Sequence, residues 1–130
     1  MSQINTVWEV NGHSFELDLQ DVEVAERYEE AFDKMSEEEK AMPKDGKTSE
    51  RIRAYYQLFV NVFDRIFGDG SGIKILGEKA NTRICNERYS EFLQFVADQT
   101  ADVRRQSNDL VSKYSPNRAQ RRASAKKKPV

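Results

Sequence analysis

The sequence contains few of the residues from which most catalytic and metal sites are built. Its 130 residues include one cysteine, Cys85, and one histidine, His13. One of each cannot form a zinc site, and a single cysteine excludes an internal disulfide. His13 lies beside a predicted turn and is expected to be an ordinary surface residue. Cys85 falls on an apolar helix face and is expected to be a small buried residue rather than a nucleophile. We therefore expect no enzyme activity, no metal and no cofactor.

Long apolar runs are also missing. No window approaches the roughly 18 consecutive apolar residues that a membrane span needs. Residues 1–5 carry neither a basic region nor an apolar signal core. A cytoplasmic protein without a membrane partner is expected, and the single cysteine agrees with a reducing compartment.

The glycine cluster at residues 68–72 does not match a nucleotide-binding loop. Gly72 and Gly77 have the spacing of a phosphate-binding loop, but Glu78 stands where the lysine is required. A calcium loop starting at Asp69 fails as well, since its fifth position would be an isoleucine. The cluster is predicted to end a helix and form a tight turn, with glycines supplying positive φ angles.

Charge is abundant and unevenly distributed. Charged residues make up 33% of the chain, and its net charge is −1. Residues 115–130 carry six basic residues and no acidic one, whereas the preceding 114 residues carry fifteen basic and 22 acidic residues, a net charge of −7. This C-terminal tail is predicted to be disordered. It either binds phosphates or acidic surfaces with little sequence preference or only aids solubility. The basic residues are Arg118, Arg121, Arg122, Lys126, Lys127 and Lys128.

A β-hairpin is predicted within residues 4–18. Asn11-Gly12 is a strong hairpin signal, because both residues tolerate the positive φ angles of a type I′ turn. Phe15 and Leu17 alternate with polar residues, as in a strand with one buried face. A lone hairpin is marginally stable in water, so this face must pack on helices. Trp8 is expected to pack against the second helix, although an exposed partner anchor is an alternative.

A helix is predicted from about Asp21, its N-cap, to Ala41. Apolar residues recur at helical spacing as far as Met35, and the polar stretch that follows is expected to fray. Residues 42–47 form a linker, because they include a proline and a glycine.

The second helix is predicted to run from a Thr48 or Ser49 cap to about Phe67. Apolar residues cover well over half of its circumference, which places it at the centre of the core. Residues 73–77 are expected to form one short helical turn that closes the side of the core.

A third main helix is predicted to begin at an Asn81 or Thr82 cap. Its apolar stripe is broad as far as Gln99 and then narrows to a strip one residue wide, which is typical of a docking surface rather than a core. A break near Thr100 is an equally fair interpretation. This narrow strip is the predicted partner-binding surface and consists of Val103, Leu110, Val111 and Tyr114.

The predicted fold class is mostly α with a small N-terminal β-hairpin (α+β). Three main helices pack on the hairpin. Residues 1–100 form the core domain, residues 101–114 a helical extension and residues 115–130 the basic tail.

Taken in order, these segments resemble a family of small proteins encoded in the tail gene clusters of long-tailed phages and prophages of low-GC bacteria. The resemblance covers about residues 8–100 and depends on the order of the segments. It is carried by the hairpin at 10–17, by the segments 24–31 and 63–70, and by the segment 81–85 leading into 89–92. The ending at 117–122 is similar to the basic tails of such phage proteins.

The resemblance implies a tail assembly chaperone. Such chaperones are thought to coat the long tape-measure protein until the tail tube polymerises around it. The expected partners are phage tail structural proteins, above all the tape-measure protein, and the compartment is the host cytoplasm. The alternative is a nucleic-acid-associated protein acting through its basic tail. Whether the chain forms a homo-oligomer stays open.

Overall fold

The computed structural model describes residues 4–114. Its elements are strands β1 (Val7–Val10) and β2 (His13–Glu16) and four helices. The helices are α1 (Val22–Ala41), α2 (Thr48–Phe67), α3 (Ser71–Leu76) and α4 (Thr82–Tyr114). The predicted fold class is therefore confirmed: the chain is mostly helical with one antiparallel hairpin at its N-terminal end.

The hairpin forms because Asn11 and Gly12 take the two positive φ angles that a type I′ turn requires, 51° and 77°. In the resulting register Trp8 faces Phe15 across the two strands, and both side chains are buried. The Asn11 side chain also donates a hydrogen bond of 3.0 Å to the carbonyl of Lys74, which ties the turn to α3.

Trp8 lies at the centre of an aromatic cluster. Its ring stacks at 6.0 Å from Phe63 and 6.2 Å from Phe67 of α2, and it meets the edge of Phe92 of α4 at 5.3 Å. Its predicted packing on the second helix is thus confirmed. The cluster joins the hairpin, α2 and α4 into one core, because large rings bury much apolar area per residue.

Helix α1 begins as predicted, with the Asp21 carboxylate accepting hydrogen bonds from the backbone N–H groups of Glu23 and Val24. The predicted fraying after Met35 is wrong. The helix continues to Ala41, and Glu38 in its last turns forms two hydrogen bonds with Arg65 of α2, at 2.6 and 3.0 Å. A tertiary ion pair therefore holds a segment that has little apolar surface of its own.

Helix α2 supplies the middle of the core, as expected. Its fully or nearly fully buried residues include Val62, Phe63 and Ile66. The predicted cap at Thr48 or Ser49 is wrong, because Lys47 occupies the N-cap position and no side chain caps the helix there.

The glycine segment ends α2 as predicted, with Gly68 at the C-cap and positive φ angles at Gly68 and Gly70. Gly72 has a different role. It is buried, and a Cβ atom built on it would lie 2.5 Å from the backbone oxygen of Val60. Here glycine permits α3, which begins at Ser71, to approach the backbone of α2 closely.

Helix α4 is one continuous helix of 33 residues, so of the two interpretations left open by the sequence the break near Thr100 does not occur. The Asn81 side chain caps it by accepting hydrogen bonds from the backbone N–H groups of Arg83 and Ile84. At 1.5 Å per residue, the helix is roughly 50 Å long.

Candidate functional site

A buried glutamine fixes the point at which α4 leaves the body of the protein. Gln99 is 2% exposed and occupies a position on the apolar face of α4, seven residues after Phe92. Its side-chain oxygen accepts from the Leu19 backbone N–H at 2.8 Å. Its amide group donates to the carbonyls of Asn5, at 3.0 Å, and Leu17, at 2.8 Å. The side chain is thus fully engaged with the backbone on both sides of the hairpin.

Beyond Gln99 the helix gradually loses contact with the body. Val103 and Gln106 are half-buried, and every residue from 107 to 113 is exposed. We call the predicted partner-binding strip, Val103, Leu110, Val111 and Tyr114, the α4 seam. Within it, Leu110 is 49% exposed and Val111 is 50% exposed. Tyr114 is the last helical residue described, and Val103 lies at the junction with the body. Helical spacing places the four positions on one side of α4.

The six basic residues predicted to contact nucleic acid or acidic surfaces lie outside the described residues. Nearer to them within α4, Arg104 is exposed and Arg105 pairs with Asp102 at 3.3 Å.

Cys85 and His13 lie where the sequence predicts. Cys85 is fully buried, and burial raises the pKa of its thiol above the ordinary value, which keeps it protonated near neutral pH. His13 is exposed at the end of the hairpin turn. Among residues 4–114 no group of three or more potential metal ligands comes together, and no helix is long and apolar enough to cross a membrane.

A second surface was not predicted from the sequence. A cleft of about 360 Å³ opens where the C-terminal half of α1 meets α2 and the start of α4. We call it the Tyr89 cleft. Its lining is mostly apolar and aromatic, with a serine hydroxyl and one carboxylate, and we call the buried residues Met35, Leu58 and Phe59 its floor. The lining residues are Phe32, Met35, Ser36, Glu39, Tyr55, Leu58, Phe59 and Tyr89.

The rings of the Tyr89 cleft pack edge to face. Tyr55 and Phe59 have ring centroids 4.9 Å apart, and Phe59 and Tyr89 are also 4.9 Å apart, with interplanar angles of 68° and 64°. The Tyr55 hydroxyl donates a hydrogen bond to Asn86 of α4. Burial raises the pKa of Tyr55 and of Tyr89, and the nearby charge of Glu39 raises both further. The sequence pattern indicated only core packing for these aromatic residues.

Residues 11–125 match a family of unknown function, DUF6673. The chain belongs to that family. The DUF6673 match begins at the hairpin turn, covers all four helices and continues into the basic tail. No curated protein and no solved structure gives a significant match.

Proposed function

We propose that this chain is a protein-binding assembly factor of the tail assembly chaperone kind, which engages the tape-measure protein during phage tail morphogenesis. The observation that supports binding is the exposure of Leu110 and Val111 on a helix end that stands clear of the core. An exposed apolar pair on a rigid helix can lie against the apolar face of a client helix. The proposed role is binding without catalysis, and the specific client comes from the resemblance to phage tail-cluster proteins.

The test is co-expression with the tape-measure protein of the same tail gene cluster, followed by affinity capture. The double variant Leu110→Ser/Val111→Ser should lose most of the captured client, because a serine pair removes the apolar contact. Its thermal unfolding should remain close to that of the original chain, since both residues are exposed.

Leu93→Ser is the matched control. It makes the same exchange on the same helix, at a residue that is 40% exposed and lies outside the seam. This variant should capture the client normally. If the double variant captured as much client as the control, the seam would have no role in binding. If the original chain captured no client, the proposed function would be contradicted.

The second candidate function is association with nucleic acid, and it depends on the concentration of six basic residues within residues 115–130. Such binding should weaken steeply with added salt, because cations that neutralise phosphates release counterions. Deletion of residues 117–130 should abolish it. Binding that survives the deletion would exclude the tail as its source.

A further inference from the structure

The Tyr89 cleft combines an apolar floor with an acidic group, and this combination restricts the chemistry of what it can hold. Met35 and Phe59 at the floor are buried and Phe32 is half-buried, while Glu39 is exposed. An entirely apolar ligand would gain nothing from the Glu39 carboxylate, and an anionic ligand would be repelled by it. A ligand with an apolar stem and a positive head satisfies both parts of the cleft.

The carboxylate is available for such a ligand. Within residues 4–114 the side chain of Glu39 forms no hydrogen bond and no ion pair, unlike Glu38 one residue earlier, which is paired with Arg65. The Tyr89 hydroxyl likewise has no hydrogen-bond partner in that part of the chain. Two oxygen acceptors therefore border the same cleft, and an ammonium group has three donors to offer them.

The aromatic lining suits a cation as well, because a ring face attracts a cation within about 6 Å of its centroid. Tyr55, Phe59 and Tyr89 are joined by two edge-to-face contacts. A side chain with several methylene groups can lie on the apolar floor while its charged head reaches the rim, as lysine commonly does on protein surfaces.

We propose that the Tyr89 cleft binds a lysine side chain presented by a partner protein, with the aliphatic stem against Met35 and Phe59 and the ammonium group between Glu39 and Tyr89. This site is separate from the α4 seam and does not depend on the proposed role in tail assembly. It adds a requirement on the partner: its lysine must protrude, and the partner surface around that lysine must leave space for the helices that border the cleft.

The experiment is a titration of the full chain followed by nuclear magnetic resonance, with n-pentylammonium as a probe of the lysine side chain. The Met35 methyl and Tyr89 ring signals should shift in a saturable manner. 1-Pentanol, the neutral probe of the same length, should bind roughly threefold or more weakly, because it lacks the cation. Equal affinity for the alcohol, or no saturable shift with the ammonium probe, would overturn the proposal.

Two charge-removing variants separate a local contact from the general acidity of α1. Glu39→Gln should weaken n-pentylammonium binding about threefold or more. Glu37→Gln removes the same charge from the same helix at an exposed residue that does not border the cleft, and it should leave binding unchanged. Equal effects of the two variants would show a nonspecific electrostatic attraction and would contradict the site.

Two further measurements test the contribution of the Tyr89 ring and the kind of cation that the cleft binds. Tyr89→Leu should weaken binding more than Tyr89→Phe does, because phenylalanine loses only the hydroxyl acceptor whereas leucine loses the aromatic face as well. Tetramethylammonium serves as the probe for a small quaternary amine. If it bound more tightly than n-pentylammonium, the occupant would be a compact cation instead of a lysine side chain, and the proposal would fail.

Discussion

At the scale of single residues, the most consequential side chain is a polar one in an apolar position. Gln99 occupies the core face of α4, where the repeat of Phe92 would suggest another large apolar residue. Its three hydrogen bonds satisfy backbone groups of Asn5, Leu17 and Leu19 that have no other hydrogen-bond partner within residues 4–114. The hairpin is thereby joined to α4 by specific contacts as well as by aromatic packing.

Replacing Gln99 by alanine should lower the free energy of unfolding by about 2–4 kcal/mol, because it leaves the buried Leu17 carbonyl and two partly buried backbone groups without partners and creates a cavity. Urea unfolding followed by circular dichroism measures the loss. Gln94→Ala is the matched control, since Gln94 is exposed on the same helix and its side chain donates a hydrogen bond of 2.8 Å to Asp98. A similar small effect for both variants would show that the Gln99 contacts contribute little.

At the scale of elements, the contact between α1 and α2 includes an ion pair at its polar end. Arg65 binds both carboxylate oxygens of Glu38, and Asn61 donates a third hydrogen bond at 3.1 Å. The hydrogen bond from Arg65 holds the pKa of Glu38 below its ordinary value of 4.5, against the opposing effect of partial burial. This contact explains why α1 remains helical where its sequence alone predicts fraying.

Glu38→Gln should reduce the free energy of unfolding by roughly 1 kcal/mol at neutral pH, a modest value because about a third of each side chain is exposed to solvent. A carboxylate with a lowered pKa in the folded state stabilises the fold above pH 4.5. That contribution disappears as the pH falls through the lower folded-state value. The difference between the two proteins should therefore shrink in acid.

Urea unfolding at pH 7 and at several values below pH 4.5 checks this prediction. Glu29→Gln removes an exposed carboxylate from the same helix and should change the stability little at any pH. A difference between Glu38→Gln and the original chain that persisted unchanged in acid would argue against the ion pair.

At the scale of the whole molecule, the structure separates a packed body from a helical extension. Burial on α4 ends with Gln106, and the exposed residues 107–113 add length without adding core. The domain organisation predicted from the sequence, with the core in residues 1–100 and an extension to 114, makes the same distinction and stays a prediction.

A chain that ends at Gln106 should therefore unfold with nearly the free energy of the full chain, within about 0.5 kcal/mol. It should also lose capture of the tape-measure protein, because it lacks Leu110 and Val111. Thermal and urea unfolding provide the first measurement and co-expression the second. A markedly less stable truncated chain would place the C-terminal part of α4 within the cooperative fold.

Much of the fold follows from local sequence alone. The Asn11-Gly12 turn, the Asp21 and Asn81 caps and the apolar period of α2 each depend on a few neighbouring residues. Backbone preference and helical spacing act over such short distances, which is why these elements could be predicted. The same local information predicts that Cys85 is buried and that Leu110 lies on a thin apolar strip.

The tertiary structure alone decided the rest. The hydrogen bonds of the Glu38–Arg65 pair and of Gln99 join residues that are 27 to 94 positions apart. The Tyr89 cleft brings together residues of three different helices. Gly72 likewise reveals its role only where α3 meets Val60. In each case the stabilising contact is made between segments that are distant in the sequence. The residue pattern of one segment alone does not predict such a contact.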